Sequence, residues 1–324
     1  MKTVNVSLLG LGNIGTGTYK TWEMNKAQME AATGTKIQIT KILERDVDRQ
    51  RDITVTPDQF TQDPDEIFKD PNIHVVVELL GGIEPATTFM LEAMNNGKHV
   101  VTANKAAVAA NFEKLTEAAK KNDVKFSFEA SVGGGIPILN AITTVLQANQ
   151  FEEILGIVNG TTNYILTQMT EYGLEYDDVL KVAQEKGFAE ADPTADVEGI
   201  DVANKLTILM ALTFGIYVPP EEIPTVGITK ITKADIDAAA SRDCKIKLIA
   251  SAKKVGDKIE YSVKPTELSV AHPLAGINNE FNAVFIKGNA VDELMFYGKG
   301  AGPLPTGSAV MGDILEIAKS MGGK

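Results

Sequence analysis

The chain has 324 residues, 44% hydrophobic and 23% charged, which is enough apolar material for one large core or two ordinary ones, and the length favours two domains. Its 43 acidic against 31 basic side chains leave a formal charge of −12, which argues against a protein that wraps nucleic acid, because phosphate binding needs a basic face. No apolar run approaches the roughly 18 residues of a membrane span and the N-terminus lacks a secretion signal, so with one cysteine, Cys244, a cytoplasmic chain without disulfides is expected, and the sequons at Asn5 and Asn159 read as chance matches.

Val4 to Leu9 predicts a buried strand, followed by the glycine turn Gly10, Gly12, Gly15 and a helix running towards Met29. Further strands are predicted at Ile37 to Leu43, His74 to Leu79, His99 to Thr102 and Val124 to Phe128, with helices at Ala86 to Met94 and Phe112 to Lys121 between them. Strands alternating with helices imply a Rossmann-type, doubly wound parallel sheet. After Glu129 the pattern changes. Gly133 to Gly135 precede Pro137 at a plausible first helical position, and a strand is predicted at Phe151 to Val158. Helices follow at Thr162 to Glu171, Asp177 to Lys186 and Val202 to Phe214, then a hairpin of Lys245 to Ala252 and Ile259 to Lys264 around Gly256. The second half therefore reads as an α+β domain. A glycine and proline run, Gly298 to Pro305, leads to a last helix near Ser308 to Ser320 that returns to the first domain. The expected division is 1–130 with 301–324 as dinucleotide-binding domain and 131–300 as catalytic domain.

Gly10-Leu11-Gly12-Asn13-Ile14-Gly15 fits the G-x-G-x-x-G fingerprint, with a hydrophobic strand before it and a helix after it. The first glycine permits the tight turn, the second lets a pyrophosphate approach the backbone, and the third allows close helix packing; the helix N-terminus then receives the phosphates. At the end of the second strand two readings stay open. Glu44 is placed to accept from a ribose 2′-hydroxyl, while Arg45, with Arg49 and Arg51 nearby, is placed to hold a 2′-phosphate. Lys105, in Thr102-Ala103-Asn104-Lys105, lies at the carboxyl edge of the sheet, where ligands bind in this architecture; a helix-start surface lysine is the plainer explanation.

The densest chemistry lies between Gly187 and Lys205, where Glu190, Asp192, Asp196, Glu198 and Asp201 precede one lysine. A solvated acidic loop accounts for Asp192 and Glu198. Asp201 and Lys205 differ: spaced i,i+4, they share a face of a helix that is otherwise apolar at Val202, Leu206, Ile208, Leu209 and Met210. A charged pair at the start of a buried helix is costly unless it has a structural or functional task. Alcohol oxidation removes a hydride and a proton, so a carboxylate-held lysine suits a nicotinamide-dependent acid/base step. His74, His99, His272 and Cys244 are too scattered to ligate zinc.

These residues resemble the homoserine dehydrogenase family. The resemblance rests on Gly10 to Gly15, Thr102 to Lys105, Glu129 to Pro137, Asn159 to Leu166, Gly187 to Lys205 and Gly300 to Val310, in family order over essentially the whole chain. It implies oxidation of L-homoserine to L-aspartate 4-semialdehyde with NADP or NAD, on the way to threonine and methionine. By position it implies Lys205 as proton-transfer group, Asp201 as its partner, Glu190 as holder of the substrate amino group with Asp196 nearby, and Lys105 at substrate or nicotinamide ribose. Leu11, Asn13, Ile14, Arg45, Lys105 and Gly302 resemble cofactor contacts, Arg45 favouring NADP. Glu129 with the backbone of Val132, Gly134 and Ile136 resembles a monovalent cation site, usually sodium; a glycine-rich hinge is the bland alternative. A homodimer through the 131–300 segment is implied too. Many members continue into a regulatory ACT domain, so with the last residue at Lys324, feedback inhibition through such a domain is not expected. A sugar-type oxidoreductase would need Glu-Lys-Pro where this chain has Asn104-Lys105-Ala106, and an NADH-sensing DNA-binding protein is disfavoured by the −12 charge.

Overall fold

The computed structural model describes residues 2–322. They form two compact units, one running up to Gly135 and resuming at Ala301, the other Ile136–Gly300, so the first boundary falls at the end of the Gly133–Gly135 run, five residues after the expected 130/131 division. In the first unit come β1 (Lys2–Leu9), α1 (Asn13–Thr33), β2 (Thr35–Leu43), β3 (Phe60–Thr61), α2 (Asp65–Phe68), β4 (Val75–Glu78), α3 (Ala86–Asn95), β5 (His99–Thr102), α4 (Lys105–Ala110), α5 (Phe112–Lys121) and β6 (Phe126–Ser127). The second unit holds α6 (Ile138–Thr143), β7 (Phe151–Ile157), α7 (Gly160–Tyr172), α8 (Tyr176–Glu185), α9 (Thr194–Val197), α10 (Ile200–Thr213), α11 (Lys233–Ala240), β8 (Cys244–Val255), β9 (Lys258–Ser269), β10 (Phe281–Gly288) and β11 (Asp292–Lys299). A last helix, α12 (Pro303–Gly322), belongs to the first unit.

The first sheet is parallel with strand order β3-β2-β1-β4-β5-β6. Order reverses between β1 and β4, and the crevice beyond their carboxyl ends is where such sheets bind ligands. β4 carries the unbroken apolar run Val75-Val76-Val77 because both faces are covered, whereas β1 is interrupted at Asn5 and Ser7. One face packs with Tyr19 and Met29 of α1 and Val310, Ile314 and Ile317 of α12; the other packs with Met90, Met94 and Leu115. The return of α12 depends on two glycines. A Cβ at Gly17 would lie 2.1 Å from the Pro303 carbonyl oxygen, and one at Gly307 would lie 2.7 Å from the Gly17 backbone, so α1 and α12 approach to backbone contact.

The second sheet is antiparallel, with order β11-β10-β7-β8-β9. Its β8–β9 hairpin turns at Gly256-Asp257, with Gly256 at φ 61, and is longer at both ends than the alternation suggested. Hairpin β10–β11 has no counterpart among the predicted strands: β11 is an edge strand whose half-buried Leu294 and Phe296 alternate with the exposed but also apolar Met295 and Tyr297, so its sequence shows no apolar/polar alternation. Pro137 precedes α6 as its cap rather than opening it. Helix α10 is buried from Val202 to Met210 except at the half-buried Asn204, which explains why its one charged pair stands out.

Candidate active site

In the first unit the glycine turn behaves as its spacing requires. Gly10 sits at φ 99, a conformation L side chains rarely adopt, and a Cβ at Gly15 would lie 2.4 Å from the Gly10 carbonyl oxygen. A Cβ at Gly12 would meet nothing within 4 Å, so the second glycine faces open space. That space is a cavity of about 710 Å³ lined by Gly10, Leu11, Gly12, Glu44, Arg45 and Arg49, among others. Gly12 is also the N-cap of α1 and caps it with no side chain. The residues present therefore fit a dinucleotide: backbone at a helix N-terminus, room for a pyrophosphate, and arginines at the rim. Asn13 and Ile14 open the helix.

The structure separates the two candidates at the end of β2. Glu44 Oε2 accepts from the Leu11 N–H at 2.9 Å, and Oε1 accepts from the N–H of Arg45 at 2.9 Å and of Asp46 at 3.1 Å. Arg51 pairs with Oε2 at 3.1 Å and donates from Nε to the Leu11 carbonyl at 3.0 Å. Burial alone would push the Glu44 carboxyl up, but the N–H groups of Asp46 and Leu11, the Arg51 charge and the Arg45 N–H together hold it below the usual carboxylate range. Glu44 and Arg51 thus brace the glycine turn, whereas Arg45 and Arg49 are exposed at the cavity.

One buried carboxylate at the carboxyl edge of the first sheet that sequence reasoning missed is Glu78. It ends β4 fully buried; Oε2 accepts from Thr102 Oγ1 and Oε1 from the Leu80 N–H, each at 2.7 Å. Burial raises its pKa despite these bonds. Thr102 Oγ1 in turn accepts from the Asn104 N–H at 2.9 Å, and Asn104 caps α4 by accepting from the Ala107 N–H at 3.1 Å. Glu78 thereby joins the carboxyl ends of β4 and β5 to the start of α4, whose first residue is the half-buried Lys105. The available signal was a carboxylate closing an otherwise apolar strand, Val75-Val76-Val77-Glu78.

In the second unit, Lys205 and Asp201 are buried together. Lys205 Nζ donates to Asp201 Oδ2 at 2.7 Å and to the Val158 carbonyl at 2.6 Å, with side chains only 9% and 6% exposed. Gly199, at φ 83, lets the chain turn directly into α10, where a Cβ would press to 2.9 Å from the Thr225 side chain. Asp196, on α9, is brought to the same place: Asn159 Nδ2 donates to Asp196 Oδ1 at 2.7 Å and to Asp201 Oδ2 at 2.9 Å. Asn159, 5% exposed, was read from the sequence only as a family block and a chance sequon. Glu190 is exposed and stands outside this network; its backbone carbonyl accepts from Gln184 Nε2 at 3.1 Å. Asp192 and Glu198 are exposed; Asp192 holds a local turn by accepting from the Thr194 N–H, and Glu198 accepts from Thr229 Oγ1 on a distant loop.

The loop expected to hold a cation contains a buried Glu129, whose N–H donates to Asp313 Oδ2 at 2.9 Å, and a buried Val132 and Gly134 with Gly133 and Gly134 in the left-handed region. The Ile136 carbonyl accepts from the Ile138 N–H at 2.9 Å. Among the described residues no cluster of three or more histidine, cysteine or acidic side chains is placed to hold a metal. Gly302 sits at φ 117 immediately before α12.

A sheet of this order with a G-x-G-x-x-G turn at a helix N-terminus, in a chain whose second unit carries a hydrogen-bonded lysine and carboxylate on a buried helix, defines a nicotinamide-nucleotide-dependent oxidoreductase of two domains. Residues 10–129 match the family model described as homoserine dehydrogenase, NAD binding domain, and residues 137–315 the model described as homoserine dehydrogenase. The chain belongs to the homoserine dehydrogenase family. It is 42% identical to the homoserine dehydrogenase of Bacillus subtilis, over 99% of this chain and 74% of that one. The crystal structure of a homoserine dehydrogenase from Thiobacillus denitrificans superposes with a TM-score of 0.96 at 41% identity, covering all of this chain and 75% of that one. A hyperthermophilic archaeal homoserine dehydrogenase in complex with NADPH superposes at 0.80, with 28% identity over 97% of each chain. Among the described residues no helix is long and apolar enough to cross a membrane.

Proposed function

We propose that the chain interconverts L-homoserine and L-aspartate 4-semialdehyde in a cytoplasmic route to threonine and methionine, with Lys205 as the acid/base group. The carrying observation is the Lys205–Asp201 pair, nearly dry and held at 2.7 Å at the start of an otherwise apolar helix. When bound, the nicotinamide accepts the hydride from the hydroxyl-bearing carbon. In oxidation Lys205, as the neutral amine, takes the hydroxyl proton and becomes the ammonium that Asp201 and the Val158 carbonyl hold in one place; in reduction that ammonium returns the proton. Asp196 and the exposed Glu190 are the carboxylates for the substrate ammonium, and Lys105 contributes from the start of α4. Gly10 to Gly15 and Gly302 serve the nucleotide, with Arg45 on a 2′-phosphate, because Glu44 already accepts from three N–H groups and pairs with Arg51.

One buried carboxylate, Glu129, with carbonyls at Val132, Gly134 and Ile136 suits a hard monovalent cation such as sodium. A homodimer through the antiparallel sheet of the second unit completes the reading. Sedimentation equilibrium and a sodium titration of the activity check these two points; a 34.8 kDa species at micromolar concentration and a sodium-independent rate would refute them. The central test is a steady-state assay of homoserine oxidation with each nucleotide. Glu190→Gln is expected to raise the KM for homoserine more than it lowers kcat. Absence of homoserine-dependent reduction of either nucleotide would overturn the assignment.

A further inference from the structure

Asn159 follows β7 by two residues and caps α7. Its Oδ1 accepts from the Thr162 N–H at 2.9 Å and from Thr162 Oγ1 at 3.0 Å. A backbone N–H can only donate, so the amide cannot be turned round, and Nδ2 must face away from the helix. An Nδ2 group carries two hydrogens in a fixed plane, and two carboxylate oxygens meet it: Asp196 Oδ1 at 2.7 Å and Asp201 Oδ2 at 2.9 Å. The Asp201 atom is the one that also receives Lys205 Nζ, and the neighbouring Val158 carbonyl receives the same ammonium. Residues 158 and 159 therefore hold the lysine twice, once directly and once through Asp201.

Capping by itself does not require this side chain. Serine, threonine and aspartate cap comparably well, but serine and threonine have a single O–H donor, and aspartate would bring a third negative charge against two others. One acceptor for the helix and two donors for the acids is what a planar carboxamide supplies.

We propose that Asn159 is a positioning residue of the reaction centre, which sets the distance between the Asp196 carboxylate and the Asp201–Lys205 pair and so between the two ends of the amino-alcohol substrate. The inference rests on the reading of Lys205 as acid/base group and of Asp196 as an ammonium ligand. Near-ångström displacement of a reacting group is enough to cost on the order of 100-fold in rate, so the effect belongs in kcat.

Asn159→Ser keeps a capping oxygen for Thr162 and replaces the two amide donors with one hydroxyl on a shorter side chain. Full-length Asn159→Ser is expected to melt close to wild type, to bind NADP with unchanged Kd, and to lose about 10- to 100-fold in kcat at saturating homoserine, with a smaller change in KM. Should it fail to fold, Asn159→Asp keeps shape and cap and is expected to lose at least as much. A kcat within twofold of wild type in whichever folded variant is measured overturns the proposal. Lys205→Ala is assayed alongside: if it turns over normally, the acid/base reading fails and takes this inference with it. If Lys205→Ala is slow while the Asn159 variants keep wild-type kcat, the inference alone fails.

Discussion

Replacing Lys205 with methionine removes the ammonium and keeps most of the apolar stem, so it isolates the charge from the packing. In the folded chain that ammonium satisfies the Val158 carbonyl at 2.6 Å and neutralises Asp201 at 2.7 Å, with both side chains under 10% exposed. Methionine leaves a buried carboxylate that still accepts from Asn159 but has lost this counter-charge. Breaking a buried pair in this way costs about 3–5 kcal/mol, against about 5–15 kcal/mol for a typical domain. The variant is therefore expected to fold with reduced stability. Adding Asp201→Asn removes the uncompensated charge and is expected to recover part of the loss. On activity, a positioned proton-transfer group is worth about 10²- to 10⁴-fold, about 3–5 kcal/mol of barrier. Homoserine oxidation followed by nucleotide absorbance should show kcat lowered by that factor in both variants, and nucleotide titration should show unchanged Kd, since the glycine turn belongs to the other unit. A calorimetrically folded Lys205→Met enzyme turning over at near wild-type rate would refute the reasoning and make Lys205 a structural ion-pair residue.

Two further outcomes are expected. Arg45→Ala should weaken NADP by about tenfold, the scale of one solvent-accessible charge-assisted contact, and leave NAD unchanged; an unaltered ratio of the two dissociation constants would remove Arg45 from the 2′-phosphate. At the other edge of the first sheet, burial and then the Lys98 and Lys2 charges hold the His74 pKa below its ordinary value, and burial and then Lys125 do the same for His99. With the folded pKa depressed, the unfolded chain binds more protons in the window beneath about 6.5, so their contribution to stability is complete above that pH and declines as pH falls through it. Thermal melts between pH 7.5 and 5.5 should show a smaller decline for His74→Gln/His99→Gln than for wild type; equal declines would contradict the assignment.

What the sequence by itself determined is local. The glycine turn could be read because its three roles fall at fixed spacing within one strand-turn-helix, and Gly10, Gly12 and Gly15 each meet in space what that spacing demands. The Asp201/Lys205 pair was legible because helical periodicity places i and i+4 on one face and the surrounding residues are apolar. The parallel sheet followed from alternation, but β11 did not, because Leu294-Met295-Phe296-Tyr297 is apolar on both faces of the strand, so the half-buried face of Leu294 and Phe296 leaves no apolar/polar alternation in the sequence. Tertiary structure alone decided which partners lie 33 to 47 residues away. That the Glu44 carboxylate closes onto Leu11 and Arg51 while Arg45 stays exposed could not be read from two adjacent charges at the end of a strand. Asn159, a chance sequon in one dimension, becomes the bridge between Asp196 and Asp201 only because β7 ends beside the start of α10. Glu190 lies in the same acidic run as those aspartates yet stays exposed, since adjacency along a loop fixes neither direction nor burial, and chain closure between β7, α9 and α10 selects which carboxylates meet.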